Sequence, residues 1–187
     1  MATPMGGSGA ALLRALYFFV PAYVANMAPV LVQGHFAALA RPMDAGWTLG
    51  GVRVLGDHKT WRGLLAGIIA GAIVYAAQAA LHEHGVLRDL ALVDYRVVDP
   101  LPGVLLGLGA GLGDAVKSFF KRRVGIPPGA PWIPFDQLDF LVGAYVCVAP
   151  LVVPPLVPTL LAAPLVGVGS VAVTAAGYGL GLKESWI

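Results

Sequence analysis

The sequence has little charge and almost no cysteine. It contains 12 lysines and arginines, 10 aspartates and glutamates, and one cysteine, Cys147, among 187 residues. A single cysteine excludes a disulfide framework or a cysteine-based metal site within one chain. The net charge of +2 is too small to indicate a nucleic-acid-binding protein. No polar stretch is long enough to form a separate soluble domain.

Apolar residues dominate instead. Hydrophobic residues make up 58% of the chain and charged residues 12%, with a mean hydropathy of +0.79. Soluble domains carry about 25% charged residues, so this composition indicates a membrane protein. The N-terminal stretch lacks a basic segment followed by a small-residue cleavage site, and we do not expect a removable signal peptide. The sequence therefore predicts one integral membrane domain over residues 1–187.

Five apolar segments predict an all-α polytopic protein with five transmembrane helices. They cover about residues 11–39, 63–81, 101–120, 140–157 and 160–182. The first is longer than the roughly 20 residues that a bilayer requires, and we expect it to be kinked or broken near Pro29. Glycines recur every four residues in the second segment and again in the third. This spacing predicts that those two helices cross closely, and it involves Gly63, Gly67 and Gly71 in one helix and Gly103, Gly107 and Gly111 in the other.

The distribution of cations predicts the orientation of these helices. With five spans, the 40–62 loop, the 117–137 loop and the C-terminus lie on one side and hold nine lysines and arginines, whereas the other side holds three. Because cytoplasmic loops carry the excess of cations, we expect the N-terminus outside, and both basic loops and the C-terminus in the cytoplasm of a cell-membrane protein.

Most of the candidate site lies between residues 113 and 139. On a helix with about 100° per residue, Asp114, Lys117, Ser118 and Lys121 share one stripe, Arg122 lies at its edge and Arg123 lies on the back. Asp136 and Asp139 are three residues apart and would share a helical face. Oxygen ligands of this kind suit Mg²⁺. The alternatives are a salt bridge from Asp114 to Lys117 or Lys121, and simple capping of a helix by the later acids.

A second candidate region is the end of the first basic loop. There Lys59 and Thr60 immediately precede the second apolar segment, beside His58 and Arg62. The N-terminal end of a helix presents free amides and a positive dipole, which suit a phosphate group. The alternative interpretation is interfacial anchoring, with Trp61 at the membrane surface and the cations acting as topology signals.

These residues resemble the motifs of a known enzyme family. The pattern Ser118-x-x-Lys121-Arg122, followed by a proline-containing turn and Asp136-x-x-Asp139, is similar to the signature of the phosphatidate cytidylyltransferase (CDP-diacylglycerol synthase) family. The stretch from Lys59 to Gly63 resembles the upstream motif of that family. The short length, the five spans and the GDHKTWRG sequence look most like its archaeal branch, the CDP-archaeol synthases.

The resemblance implies a Mg²⁺-dependent transfer from CTP to a lipid phosphate that releases pyrophosphate. For the archaeal branch the lipid is 2,3-bis-O-geranylgeranylglycerol 1-phosphate, an isoprenoid ether lipid. It further implies that Asp114, Asp136 and Asp139 hold Mg²⁺, and that Ser118, Lys121 and Arg122 bind the triphosphate, with Lys117 beside them. Lys59 and Thr60 would hold CTP or the lipid phosphate, with Arg62 nearer the membrane edge, and Arg123 would be expendable.

Two rival functions remain open at this point. A CTP-dependent polyprenol kinase would share a membrane-bound nucleotide site but would transfer the γ-phosphoryl group. A small transport protein would need acids distributed through the membrane depth, whereas here they gather near one interface.

Overall fold

The computed structural model describes residues 7–95, 99–127, 130–162 and 164–165, and most of the described chain is helical. The two 3₁₀ turns cover Ala37–Leu39 and Arg88–Leu90. The helices are α1 (Ser8–Phe18), α2 (Val20–Leu31), α3 (Trp61–Glu83), α4 (Leu101–Arg123) and α5 (Phe135–Val148), and the strands are β1 (Thr48–Leu49) and β2 (Val52–Arg53).

Among the residues that the structure describes, three helical segments are long and apolar enough to cross a membrane, namely Ser8–Leu31, Trp61–Glu83 and Leu101–Arg123. They correspond to the first three predicted spans. The fourth was predicted over 140–157, but α5 begins earlier and ends at Val148. The chain is helical again at 156–162, and most of the predicted fifth span at 160–182 lies outside the described residues. The count of five spans therefore stays a prediction.

The first apolar segment is interrupted at a different place from the one predicted. The break between α1 and α2 lies at Phe19, whereas Pro29 lies inside α2. Pro21 explains the position of the break, because it has no backbone N–H to donate to the preceding turn and fits the first turn of a new helix. The helix also ends at Leu31, so residues 32–39 do not extend the span.

The described chain is mostly helical, as the all-α prediction requires, but the first basic loop contains a short β-hairpin that the sequence analysis does not predict. Thr48 pairs with Arg53 and Leu49 with Val52 in antiparallel register. The two connecting residues are glycines, both with positive φ. A two-residue hairpin turn with positive φ at both positions favours glycine, so this turn depends on the Gly-Gly pair.

Helix α4 is the centre of the bundle and contacts α2, α3 and α5. The predicted glycine crossing is confirmed for α3 and α4: a Cβ atom on Gly71 would lie 2.6 Å from the Gly103 carbonyl oxygen, and one on Gly107 would lie 2.5 Å from that of Gly67. Such distances are too short for any larger residue. The opposite side of α4 packs closely on α5, where a Cβ atom on Gly113 would collide with the Asp139 carbonyl. This contact places the start of α5 beside the C-terminal half of α4.

Candidate active site

Lys117 lies among the three carboxylates that the sequence singles out. Its Nζ atom is 3.2 Å from Asp114 Oδ1, 2.9 Å from Asp136 Oδ1 and 2.6 Å from Asp139 Oδ2. The Asp139 side chain is only 5% exposed. Asp114 and Lys117 are one helical turn apart on α4, and the two later acids are one turn apart on α5, so the glycine contact between these helices brings both pairs together. The predicted convergence of the three acids is therefore present.

Two further lysines extend this cluster in opposite directions. The Lys59 ammonium donates to Asp114 Oδ2 and thereby joins the first basic loop to α4. On the other side Lys121 donates to Asp136 Oδ1 at 3.2 Å and to the Ala130 carbonyl. Asp136 also accepts a hydrogen bond from the Trp132 backbone N–H. Carboxylates and ammonium groups therefore alternate across the end of the bundle, and each buried charge has an opposite partner.

A cavity of about 920 Å³ opens beside the cluster. The hairpin loop forms one wall, the C-terminal half of α4 forms another, and the segment before α5 closes the third. Its cationic and acidic lining includes Arg53, Asp57, His58, Lys59, Lys117, Lys121, Arg122 and Asp136, together with Ser118 and Gln137. Apolar residues, among them Val52, Leu55 and Ile133, line the same walls.

Asp44 holds the loop that carries the hairpin. Its side chain is 1% exposed and accepts hydrogen bonds from the backbone N–H groups of Gly46, Leu55 and Gly56. It also pairs with Arg53 at 2.6 Å. Burial raises the pKa of the Asp44 carboxyl, but the hydrogen bonds from Arg53 and from the three backbone amides outweigh burial, and the pKa lies well below its usual value.

Two side chains of α4 fasten this loop to the helix. Ser118 Oγ donates to the Leu55 carbonyl at 2.7 Å. Arg123 donates to the Leu49 carbonyl and, at 3.1 Å, to the Arg53 carbonyl. That Arg123 is expendable stays a prediction, which rested on its position at the back of the helical stripe. It does lie away from the cavity lining, but it connects α4 to the hairpin that forms a wall of the cavity.

Comparisons with known proteins agree with this arrangement. The profile of the family described as CarS-like: CDP-archaeol synthase matches residues 10–187. The CDP-archaeol synthase of Methanopyrus kandleri is 45% identical over 141 residues, which cover 74% of this chain and 72% of that protein. The CDP-archaeol synthase of Halobacterium salinarum is 38% identical over 180 residues, which cover 92% of this chain and 95% of that protein. The chain belongs to the CDP-archaeol synthase family.

A solved structure supports the same assignment within the CDP-archaeol synthase family. It belongs to an intramembrane enzyme for archaeal membrane lipids biosynthesis, is 35% identical, and aligns with a TM-score of 0.65 over 85% of this chain and 91% of that chain. As a member of this family, the chain is a membrane-embedded cytidylyltransferase. The reaction type implies that its substrates are a lipid and CTP.

Lys59, Thr60 and Arg62, near the start of α3, were proposed for substrate binding, but they are not equally free to bind a ligand. Thr60 is the N-cap of α3, and its Oγ1 accepts from the Gly63 N–H at 3.2 Å. The Trp61 and Leu64 amides are also satisfied by the backbone, so the amides at this helix end are largely occupied. Arg62 donates to the His35 carbonyl at 2.7 Å and lines neither of the cavities described here. Of these residues, Lys59 is best placed to bind a phosphate.

Sequence reasoning missed several residues of the CDP-archaeol synthase site. Asp44 and Arg53 hold the cavity wall, Gln137 lines the large cavity, and Asn26 lines a smaller one. Asn26 had the clearest signal, because it is an amide side chain within the apolar helix α2. Asp44 had none, since its role depends on amides up to 12 residues later in the loop.

Proposed function

We propose that this chain transfers the cytidylyl group of CTP to 2,3-bis-O-geranylgeranylglycerol 1-phosphate and so forms unsaturated CDP-archaeol and pyrophosphate. A non-bridging oxygen of the lipid phosphate attacks the α-phosphorus of CTP and forms a P–O bond. The bond from that phosphorus to the oxygen shared with the β-phosphate breaks, and pyrophosphate leaves. A phosphate oxygen is already ionised, so the reaction needs positioning and charge neutralisation more than a general base.

The observation that carries this proposal is the convergence of Asp114, Asp136 and Asp139 on Lys117 beside a cavity of nucleotide size. The cluster lies at the end of three helical segments suited to a membrane. A water-soluble nucleotide can therefore meet a lipid headgroup at this point. The cavity, the cations and the adjoining apolar helices together supply what such a transfer requires.

Charge balance assigns roles to the cations. All four cations line the large cavity. Lys121 contacts the Ala130 carbonyl in the segment before α5 and is followed by Arg122, whereas Lys59 and Lys117 both contact Asp114 on α4. We infer that the first pair binds the β- and γ-phosphates and stabilises the departing pyrophosphate, while the second pair faces the α-phosphate. Hydrogen bonds and charges placed where negative charge accumulates lower the barrier most effectively in a site with little water.

We also infer that Asp114, Asp136 and Asp139 hold Mg²⁺ during the reaction. Within the described residues, no group of three histidine, cysteine or acidic side chains has its ligand atoms arranged to share a metal ion, because the Lys117 ammonium lies between the carboxylates. The three carboxylates nevertheless converge on one cation, and all are the oxygen ligands that Mg²⁺ prefers. Mg²⁺ would neutralise the triphosphate and leave Lys117 available to the phosphate oxygens.

The orientation of the site follows the loop charges. The hairpin loop and the segment before α5 lie at the same end of the bundle, since both line the large cavity. We place this end in the cytoplasm, where CTP is found, and the enzyme in the cell membrane.

The purified protein in detergent tests the proposal directly. We expect labelled CTP, Mg²⁺ and the geranylgeranyl ether phosphate to give a CDP-lipid and pyrophosphate in equal amounts, with a diacyl phosphate as the comparison acceptor. Asp136→Asn and Asp139→Asn should each lower turnover by at least 100-fold while the protein still elutes as a folded species. A normal rate in either variant contradicts the metal assignment.

The same assay separates the transferase from a CTP-dependent polyprenol kinase. The kinase releases CDP and leaves a single phosphate on a polyprenol, whereas the transferase retains CMP on the lipid. Formation of CDP with polyprenol phosphate, and no CDP-lipid, would overturn the proposal.

A further inference from the structure

A second cavity lies next to the large one. It has a volume of about 270 Å³ and is bounded by α2, α3, α4 and the end of the first basic loop. Its lining includes Asn26, Pro29, Lys59, Thr60, Leu64 and Asp114. His58 and Lys59 line both cavities, so they form part of the boundary between them.

Asn26 is the feature of this second cavity that its surroundings do not explain. It lies on α2, whose other residues are apolar apart from one tyrosine. Amide side chains in a membrane helix are costly unless they bind another polar group. The Asn26 side chain is exposed and makes no hydrogen bond among the described residues, whereas Arg62 and Thr60 at the start of α3 each make one.

The small cavity has the chemistry of a phosphate monoester site. It is too small for a nucleoside triphosphate, and it combines one ammonium group, Lys59, with an amide that can donate to oxygen. Asp114 also faces it, but this carboxylate is neutralised by Lys59 and Lys117. On the same helix Met27, Val30 and Leu31 are each more than half exposed, so the surface of α2 near the cavity is apolar.

We propose that this second cavity binds the phosphate head of the acceptor lipid, with Asn26 and Lys59 as its polar contacts. The proposal rests on the transferase function above and assigns its two substrates to separate cavities. The isoprenoid chains extend sideways from the cavity into the bilayer. The nucleotide occupies the large cavity on the other side of Lys59.

Because Lys59 lines both cavities, it can contact both substrates at once. The attacking phosphate and the α-phosphate of CTP are both anions, and their repulsion rises as the reacting atoms approach. A cation that borders both cavities can contact an oxygen of each group. It therefore lowers this repulsion in the transition state more than in the separated substrates.

Substitutions of Asn26 test the assignment. Asn26→Leu keeps the size and removes the hydrogen bond, and Asn26→Asp adds a negative charge at the same place. Since a hydrogen bond to a charged group is stronger than one between neutral groups, we expect Asn26→Leu to raise KM for the lipid phosphate by about 10-fold or more, and Asn26→Asp to raise it further. KM for CTP should stay within about twofold in Asn26→Leu. Leu13→Met, at an exposed position of α1 that lines neither cavity, serves as the control and should change neither value.

A binding measurement provides a readout besides activity. A short-chain, water-soluble glycerol ether phosphate should bind the wild-type protein in the absence of CTP and bind Asn26→Leu at least 10-fold more weakly, while CTP binds both proteins alike. Equal binding of the ether phosphate to both proteins overturns the assignment. If the cavity instead receives the leaving pyrophosphate, Asn26→Leu will weaken inhibition by pyrophosphate and leave the KM for the lipid unchanged, which also overturns it.

The two proposals fail in different ways. A wild-type protein that binds the ether phosphate through Asn26 but forms no CDP-lipid contradicts the transferase function and leaves the binding site in place. If the wild-type protein forms CDP-lipid and the Asn26→Leu variant does so with unchanged kinetics, only the assignment of the second cavity is contradicted.

Discussion

The Lys117 ammonium is shared by three carboxylates that come from two helices. Without this cation the carboxylates would repel one another across a partly buried site, and only a bound metal ion could replace its charge. Lys117 and a divalent ion therefore compete for one place. Because of this competition, the stability of the protein depends on metal binding, and a single substitution of Lys117 can test both.

We predict that Lys117→Met lowers the free energy of unfolding by about 3 kcal/mol, because it leaves the buried Asp139 carboxylate without a cationic partner, whereas Asp114 and Asp136 keep Lys59 and Lys121. Mg²⁺ should restore part of this loss and should raise the Tm of the variant more than that of the wild-type protein. Thermal unfolding in detergent, with and without millimolar Mg²⁺, measures both effects. Lys117→Arg is the matched control, since it keeps the charge. If Mg²⁺ shifts the Tm of the Met variant no more than that of the wild type, the three carboxylates are not a metal site.

At the scale of the elements, the hairpin loop and α4 depend on one another. Arg123 contacts two carbonyls of the hairpin, and Ser118 contacts a third in the loop that follows. Because the loop forms a wall of the large cavity, its attachment affects nucleotide binding without any contact to the reacting atoms. Arg123 thus positions the site from outside it.

We predict that Arg123→Ala raises KM for CTP by about 10-fold and leaves KM for the lipid phosphate within about twofold, because the freed loop no longer holds the nucleotide wall. Arg123→Lys should recover part of the effect, since a single ammonium cannot reach both carbonyls. Arg14→Ala is the control, as Arg14 also donates to a carbonyl but contacts Asp89, far from the cavity. An Arg123→Ala enzyme with unchanged KM for CTP would show that the hairpin is held by other contacts.

The Asp44 carboxylate makes the stability of the same loop depend on pH. Its folded-state pKa lies below the unfolded value, so the stabilisation is fully present above the unfolded pKa of about 4 and is lost as the pH falls through the folded pKa. We therefore predict that the difference in Tm between the wild-type protein and Asp44→Asn is present at pH 7 and shrinks as the pH falls below about 4. A difference that stays constant down to pH 3 would mean that the Asp44 charge does not stabilise the folded protein.

The elements also show what a sequence can reveal. The carboxylate cluster was predictable because Asp114 and Lys117 on one helix, and Asp136 and Asp139 on another, are each three residues apart, which fixes a common face. The α3–α4 crossing followed from four-residue glycine spacing. The hairpin was missed although Gly50 and Gly51 mark its turn, because strands of two residues are too short to show alternation. The role of Arg123 could not be predicted, because its partners are backbone carbonyls and any residue at those positions would supply the same acceptor.

At the scale of the whole molecule, the ion pairs of the candidate active site lie at one end of the helix bundle. Lys59 and Asp114 join the first loop to α4, and Lys121 and Asp136 join α4 to α5. The opposite end carries the turn after α3, where Arg88 donates to backbone carbonyls at the end of that helix. The two ends are separated by the length of α3 and α4, each of 23 residues, which is enough to cross a bilayer.

This separation predicts a labelling pattern that tests the orientation. The chain has one cysteine, Cys147, so a cysteine-free background requires a single replacement, Cys147→Ala. In that background Asp57→Cys, at a side chain that is 75% exposed beside the large cavity, should react with a membrane-impermeant maleimide only when the cytoplasmic face of the membrane is accessible. Val86→Cys, at the exposed turn after α3, should react only from the opposite face. Labelling of both positions from the same face would contradict a membrane-spanning α3, and the reverse pattern would place the nucleotide cavity outside the cell, away from its CTP.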